Sequence, residues 1–292
     1  MSESPLANYN GYLMHLSEVR IPALDRGFMF GDAVYEVIRI YHGRLFRAEQ
    51  HLARLKQSMH SLNITGIELS LIETRLRETL LNSSVVEGLA YIQVTRGEAP
   101  KRSHTYSGAL SPNVLIFVDH FDDPYVTGRT SGISVRTHPD IRWKRNDIKV
   151  TSLIANCMAA QYALQHHCQE VILYNDAGFV TEGSHTSVFA AKDGKLIVAP
   201  DSASVLPGIT KALVLELAQD SGIECRREHL LLKDLLDLDE LFITGTPEEI
   251  VPVTKVDDRP IASGQVGPLV ERLQRAFSQL VERKIQEESL RG

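Results

Sequence analysis

The chain has 292 residues, 43% apolar and 23% charged, which excludes a disordered or collagenous chain and suffices for one or two sizeable cores. Its 31 basic residues against 37 acidic ones give a net charge of -6, which argues against a nucleic-acid backbone as partner while permitting local basic pockets. Cys157, Cys168 and Cys225 show neither C-x-x-C spacing nor an even framework, so they read as core thiols, not as a disulfide scaffold or a zinc ribbon.

Residues 1–13, MSESPLANYNGYL, hold no basic region followed by an apolar one, and the longest apolar runs, such as VLIFV at 114–118, are far short of a membrane span. The expectation is a cytoplasmic protein without a membrane segment. AVYEVIRIY, AYIQVTRG and VLIFVDH are rich in β-branched and aromatic residues and read as strands, flanking helical spacing in AEQHLARLKQSMHSL and LSLIETRLRETLLNS. This predicts a small N-terminal α+β domain over residues 1–120. Acidic residues, Pro, Gly and Ser then run without periodicity through 119–132, so an interdomain linker is placed at 121–132. Beyond it come the strand GISVRT, a short strand-like piece around Lys149, the helix SLIANCMAAQYALQHH and the strand-like stretches EVILYN and SVFAAKDGKLIVAP. The helix KALVLELAQDSG and the strand LFITG follow, so residues 133–292 read as a larger C-terminal α/β domain.

The chain lacks G-x-G-x-x-G, G-x-x-x-x-G-K-[ST], G-x-S-x-G and H-E-x-x-H, so the common nucleotide, serine-hydrolase and zinc-protease readings have no support. His166, His167 and Cys168 are adjacent, and adjacent side chains on a helix diverge, so no metal site is expected there. Lys149 is flanked by Ile148 and Val150, an apolar setting for an ammonium group. In PGITKALVLELAQDSG, Thr210 reads as an N-cap, Leu213, Val214, Leu217 and Ala218 as a buried stripe, and Gly222 as the stop. Free amides at such a start attract an anion, although an ordinary cap looks the same. Arg54 in QHLARL suits either solvent or an anion. Glu182 in FVTEGSHTSVF is either an exposed turn residue or a carboxylate that keeps a pyridine nitrogen protonated. Lysine, phosphate cup and carboxylate together describe a pyridoxal phosphate site.

Seven blocks carry a resemblance over about residues 20–280: DRGFMFGDAVYEVIRIYHGRLF, HLARL, YIQVTRGEAP, DIRWKRNDIK, FVTEGSHTSVF, VLPGITK and ELFITGTPEEIVPV. In order and spacing they resemble the class IV (fold-type IV) pyridoxal-phosphate aminotransferases, and among these the D-amino-acid branch. The resemblance implies the two domains above with the cofactor, pyridoxal 5'-phosphate, in the cleft between them. It implies that Lys149 bonds the cofactor as an imine, Glu182 pairs with the pyridine nitrogen, Arg54 binds phosphate and Leu206 packs on the ring. Ile209 and Thr210 match the helix-start phosphate ligands, and Thr246 a hydroxyl and amide donor near phosphate and substrate.

Alternation puts Tyr35, Val37 and Arg39 on one strand face, and Tyr-Glu-Val resembles the D-amino-acid enzymes, where branched-chain enzymes usually show Phe-Glu-Gly. Arg102 and His104 keep the Arg-x-His spacing that in the D-amino-acid branch grips the substrate α-carboxylate from the neighbouring subunit of a homodimer. A gapless alignment puts Lys101 and Ser103 there instead. The implied reaction transfers an amino group from a D-amino acid such as D-alanine to 2-oxoglutarate or pyruvate, with no metal. Branched-chain L-amino-acid or (R)-amine transfer on the same fold, and a non-catalytic cofactor binder, are the alternatives.

Overall fold

Burial alternates over Val34–Ile38 and is then continuous through Tyr41, which sets one face of a first sheet against helices. The computed structural model describes residues 4–106, 108 and 110–289; Met1–Glu3, Ser107, Ala109 and Leu290–Gly292 lie outside it. By contacts the chain divides into two compact units, one made of residues up to Asp122 with Ile148–Leu153, the other of Asp123–Asp147 with residues from Ile154 on.

The first unit contains β1 (Leu6–Tyr9), β2 (Tyr12–His15), α1 (Arg26–Phe30), β3 (Ala33–Tyr41), β4 (Arg44–Leu45), α2 (Ala48–Ser61), α3 (Leu69–Leu81), β5 (Gly88–Thr95) and β6 (Val114–His120). Its strands form an antiparallel sheet in the order β2-β1-β6-β5-β3-β4. Val34, Ile38, Ile92, Ile116 and Val118 meet Leu52, Leu55 and Met59 of α2 and Ile72 and Leu76 of α3 in one core. On α2 the buried positions Ala48, His51, Leu52, Leu55, Ser58 and Met59 follow a helical stripe. On the sheet's other face Tyr35, Tyr91 and Phe117 stack in a row, with centroids 5.8 and 4.9 Å apart.

The segment around Lys149 differs from the expected strand of the C-terminal domain. It makes one isolated bridge, Val150 to Val34. Tyr35 N donates to Lys149 O at 3.1 Å and Thr151 N to Ala33 O at 3.1 Å, while Ile148 and Val150 enter the first core. Burial of those two neighbours is what attaches Lys149 to the first unit.

The second unit contains α4 (Val126–Ser131), β7 (Ile133–Pro139), α5 (Ile154–Gln165), β8 (Glu170–Tyr174), β9 (Ser187–Lys192), β10 (Lys195–Val198), α6 (Ile209–Asp220), β11 (Cys225–Arg227), β12 (Glu240–Gly245), β13 (Glu249–Val256), β14 (Arg259–Pro260) and α7 (Pro268–Ser289). Its mixed sheet runs β11-β10-β9-β12-β13-β7-β8, with β14 beside β13. Phe189 and Phe242, fully buried, stack 5.0 Å apart at its centre. The carboxylate of Glu240 accepts from Leu269 N and Val270 N and so caps α7, whose Val270, Leu273, Phe277 and Leu280 pack inward.

Three local expectations change. Part of the expected linker is helical, because α4 covers Val126–Ser131. Cys157 is exposed, so only Cys168 behaves as a buried thiol. Gly208, not Thr210, takes the N-cap of α6, with no side-chain hydrogen bond. Among the described residues no helix is long and apolar enough to cross a membrane, and no group of His, Cys, Asp or Glu could hold a metal.

Candidate active site

In the first unit Lys149 is half-buried, and its Nζ lies 4.4 Å from the centroid of the Tyr35 ring. Its amide donates to Ser58 Oγ at 3.2 Å. Ser58 belongs to an α2 face that also presents His51 and Arg54, spaced three and four residues apart. These two meet Glu36, which alternation places on the core side of β3, opposite Tyr35 and Val37. Arg54 Nε and Nη2 donate to the two Glu36 oxygens at 2.7 and 2.8 Å, and His51 Nδ1 donates to Glu36 Oε2 at 2.8 Å. Burial pushes the Glu36 carboxyl up, but Arg54 and His51 outweigh it and bring its pKa down to about 2. Burial also lowers the His51 pKa, against the pull of Glu36. Arg54 is therefore not a solvent-facing helix residue, and Glu36, itself held by His51, is the partner that sequence alone did not supply for it.

The loop after β5 carries Arg102 and His104. Both side chains meet the Phe30 ring, the Arg102 guanidinium at 5.2 Å from its centroid and the His104 ring at 5.4 Å. Lys101 is exposed, whereas Ser103 turns its carbonyl to Arg26.

In the second unit Glu182 is buried, and both carboxylate oxygens are engaged. Oε2 accepts from Arg142 Nη1 at 2.7 Å and Oε1 from Leu206 N at 2.9 Å. Arg142 is in turn held by both oxygens of Asp140, which also accepts from Thr181 Oγ1. Burial pushes the Glu182 pKa up, opposed by Arg142 and the Leu206 amide. The exposed-turn reading of Glu182 is thereby excluded. The turn it opens is fixed by Glu170, which accepts from Ser184 N at 3.0 Å and Thr186 Oγ1 at 3.0 Å. His185 lies between two buried carboxylates, 3.3 Å from an oxygen of Glu170 and 3.3 Å from one of Glu248.

Ile209 and Thr210 form the first turn of α6, whose amides receive no side-chain cap. A Cβ built on Gly208 would lie 2.9 Å from Ser187 Oγ, and Ser187 pairs across the sheet with Thr244. The helix start thus adjoins Ser187, whose cross-strand partner Thr244 lies two residues before Thr246. Arg129 holds the turn at Thr246 by donating to Pro247 O and Glu248 O, each at 2.9 Å. Lys211, although on α6, is committed to Ala199 O and Asp201.

Taken unit by unit, each offers groups of a kind that a phosphopyridine aldehyde needs. Lys149 offers an amine beside an aromatic face, Glu182 retains acceptor capacity after its two bonds, and the uncapped amides of α6 offer partial positive charge to a phosphate.

Comparison with known proteins bears on the family. The family model "Amino-transferase class IV" matches residues 33–256. A D-alanine aminotransferase of Bacillus licheniformis is 40% identical over 273 residues, covering 92% of this chain and 94% of that protein. The branched-chain amino acid aminotransferase of Escherichia coli superposes with a TM-score of 0.88 at 24% identity, covering 95% of each chain. A hypothetical aminotransferase of Mycobacterium tuberculosis, solved in a PLP-bound form, gives a TM-score of 0.81 at 21% identity, covering 93% of this chain and 98% of that one. A family match across most of the chain, joined to near-full-length identity of this size, makes the protein a member of the class IV aminotransferases.

Proposed function

We propose that this aminotransferase uses pyridoxal 5'-phosphate to move the amino group of a D-amino acid of alanine-like size to pyruvate or 2-oxoglutarate, working in the cytoplasm as a homodimer. The observation that carries the substrate class is the 40% identity to a D-alanine aminotransferase along nearly the whole of both chains. The branched-chain likeness, at 24%, speaks for the fold alone.

The bound cofactor supplies an electron sink for bond breaking at the substrate α-carbon. Lys149 would hold it through its Nζ and would take and return the proton at the substrate α-carbon. Glu182 keeps the pyridine nitrogen protonated, and Arg142 with the Leu206 amide fixes the direction of that carboxylate. Arg54, oriented by Glu36, receives the phosphate together with the first-turn amides of Ile209 and Thr210, and Thr246 adds a donor. Leu206 would pack against the cofactor, and Tyr35 and Val37 would line the substrate pocket. Arg102 and His104 take the α-carboxylate, which donor and acceptor present alike; their shared contact with Phe30 supports this pair over Lys101 and Ser103. For the homodimer, α5 supplies the support, because its outward stripe includes Ile154, Met158 and Leu164, which are 74%, 55% and 66% exposed.

The test is a donor panel on protein loaded with pyridoxal phosphate. Both enantiomers of alanine, glutamate and leucine, and a primary (R)-amine, are offered with 2-oxoglutarate or pyruvate. D-alanine with 2-oxoglutarate is expected to turn over fastest. Faster L-leucine or amine would replace the substrate reading with one of the alternatives, and no turnover with cofactor bound would leave a binder without catalysis.

A further inference from the structure

Resting on the reading that Arg102 and His104 take the substrate carboxylate, we propose that Arg26 is the positioning residue for that pair. Seated on Asp32 beside Arg96, it holds the main chain of Ser103 and His104 so that the Arg102 and His104 side chains stand together over Phe30.

The loop has no helix or strand of its own over Lys101–Tyr106, so its shape must come from elsewhere. Arg26 provides it from a buried position. Its Nη1 donates to Ser103 O at 2.7 Å, its Nη2 to His104 O at 3.0 Å and its Nε to Asp32 Oδ2 at 2.8 Å. Two consecutive carbonyls and a carboxylate are thus satisfied by one planar fork, which a lysine ammonium cannot reproduce. Arg96 completes the seat: its Nε and Nη2 bind both Asp32 oxygens at 2.7 and 2.9 Å, and it also donates to Leu62 O and Asn63 O. The exposed Tyr106 ring closes the far end of the loop, with the Arg26 and Arg96 guanidinium carbons 5.1 and 4.2 Å from its centroid.

Clamp and platform belong to one rigid piece. Phe30 lies one turn after Arg26 on α1, and the Arg26 guanidinium is 5.0 Å from its ring centroid. Asp25 caps α1 by accepting from Gly27 N and Phe28 N, and its other oxygen accepts from Thr95 and Asn113 at 2.7 Å each. With the carbonyls of residues 103 and 104 pinned to this helix, the side chains of Arg102 and His104 are presented two residues apart to the same ring. Arg26 touches no reacting atom in this scheme and acts through the loop.

Arg26→Lys in the pyridoxal-phosphate-loaded enzyme tests the proposal. KM for D-alanine and for 2-oxoglutarate should rise together by roughly ten- to a hundredfold with kcat much less affected, because a misplaced carboxylate partner weakens binding of both. KM for a primary (R)-amine should be unchanged. Amide hydrogen exchange in a peptide spanning residues 99–106, measured without cofactor, should quicken. Tyr106→Leu, which leaves the buried cluster intact, should raise the KM for D-alanine and for 2-oxoglutarate and quicken the exchange, each to a smaller extent. Unchanged KM and unchanged exchange in Arg26→Lys would overturn the proposal, as would an equal loss with the amine donor. If Arg102→Ala also leaves the KM values unchanged, the carboxylate reading fails and the proposal with it. If Arg102→Ala raises them and Arg26→Lys does not, the reading stands and the proposal is overturned.

Discussion

Arg142 follows Asp140 by two residues and precedes Glu182 by 40, yet its guanidinium binds both. In IRWKRNDIK it looks like part of a solvated basic run with Lys144 and Arg145, and nothing local says that only Arg142 turns inward. Arg26, Arg96 and Arg129 share this property, since each donates to loop carbonyls remote in sequence. The apolar neighbours of Lys149 are visible in the sequence, and the burial of Glu182 was left open there; the arginine that holds Glu182 was not legible at all, because a buried arginine is recognised only by partners the fold delivers. Glu182→Gln should retain cofactor but lower turnover by roughly a hundredfold or more, the scale of losing one fixed electrostatic partner; unchanged turnover would mean the pyridine nitrogen is protonated by other means. Glu36 makes a pH prediction. Its folded pKa, about 2, lies below the ordinary 4.5, so its contribution to stability is present above about 4.5 and lost as pH falls toward 2. The amount is of order 3 kcal/mol. Urea unfolding of the wild type and of Glu36→Gln, followed from pH 6 to pH 2, should show the gap between them narrowing in that window. A constant gap would mean that Glu36 is not held as a paired carboxylate.

At the scale of elements, the strands and helices with clean periodicity were readable, and the hairpins were not drawn although their signals were present. Asn10-Gly11 joins β1 to β2, with Tyr9 paired to Tyr12, and Asp193-Gly194 splits SVFAAKDGKLIVAP into β9 and β10, with Lys192 paired to Lys195. All four of these turn residues have positive φ, between 49° and 98°, the conformation that two-residue hairpin turns require. The strand expected at Lys149 failed for another reason: apolar neighbours mark burial, and a single bridge buries a segment as well as a ladder does. In α5 the difficulty is composition, because Ile154, Met158 and Leu164 face outward on a helix whose buried side is mainly Ala159 and Ala163. If that face joins two copies, Met158→Glu with Leu164→Glu should weaken association about tenfold or more, since each large apolar side chain is worth about 1.5–3 kcal/mol on burial. Light scattering across a dilution series should then show monomer where the wild type is dimeric. An unchanged mass would remove α5 from the interface.

On the scale of the whole molecule, the two-part organisation could be read from composition, but the contact division could not. It falls after Asp122 and then returns Ile148–Leu153 to the first unit, because Ile148 and Val150 belong to that core. A linear sequence suggests one boundary; a segment that leaves its neighbours to dock elsewhere gives no compositional sign. The same segment carries the residue on which the enzymatic reading depends. Seven sequence blocks, the family match over 33–256 and the setting of Lys149 beside Tyr35 all bear on that reading. Its most direct test is borohydride reduction of the pyridoxal-phosphate-loaded enzyme, followed by proteolysis and mass spectrometry of the phosphopyridoxyl peptide. Label is expected on Lys149, and in Lys149→Ala neither label nor turnover; label on Lys144 or on Lys211, or turnover surviving the substitution, would contradict the assignment of Lys149.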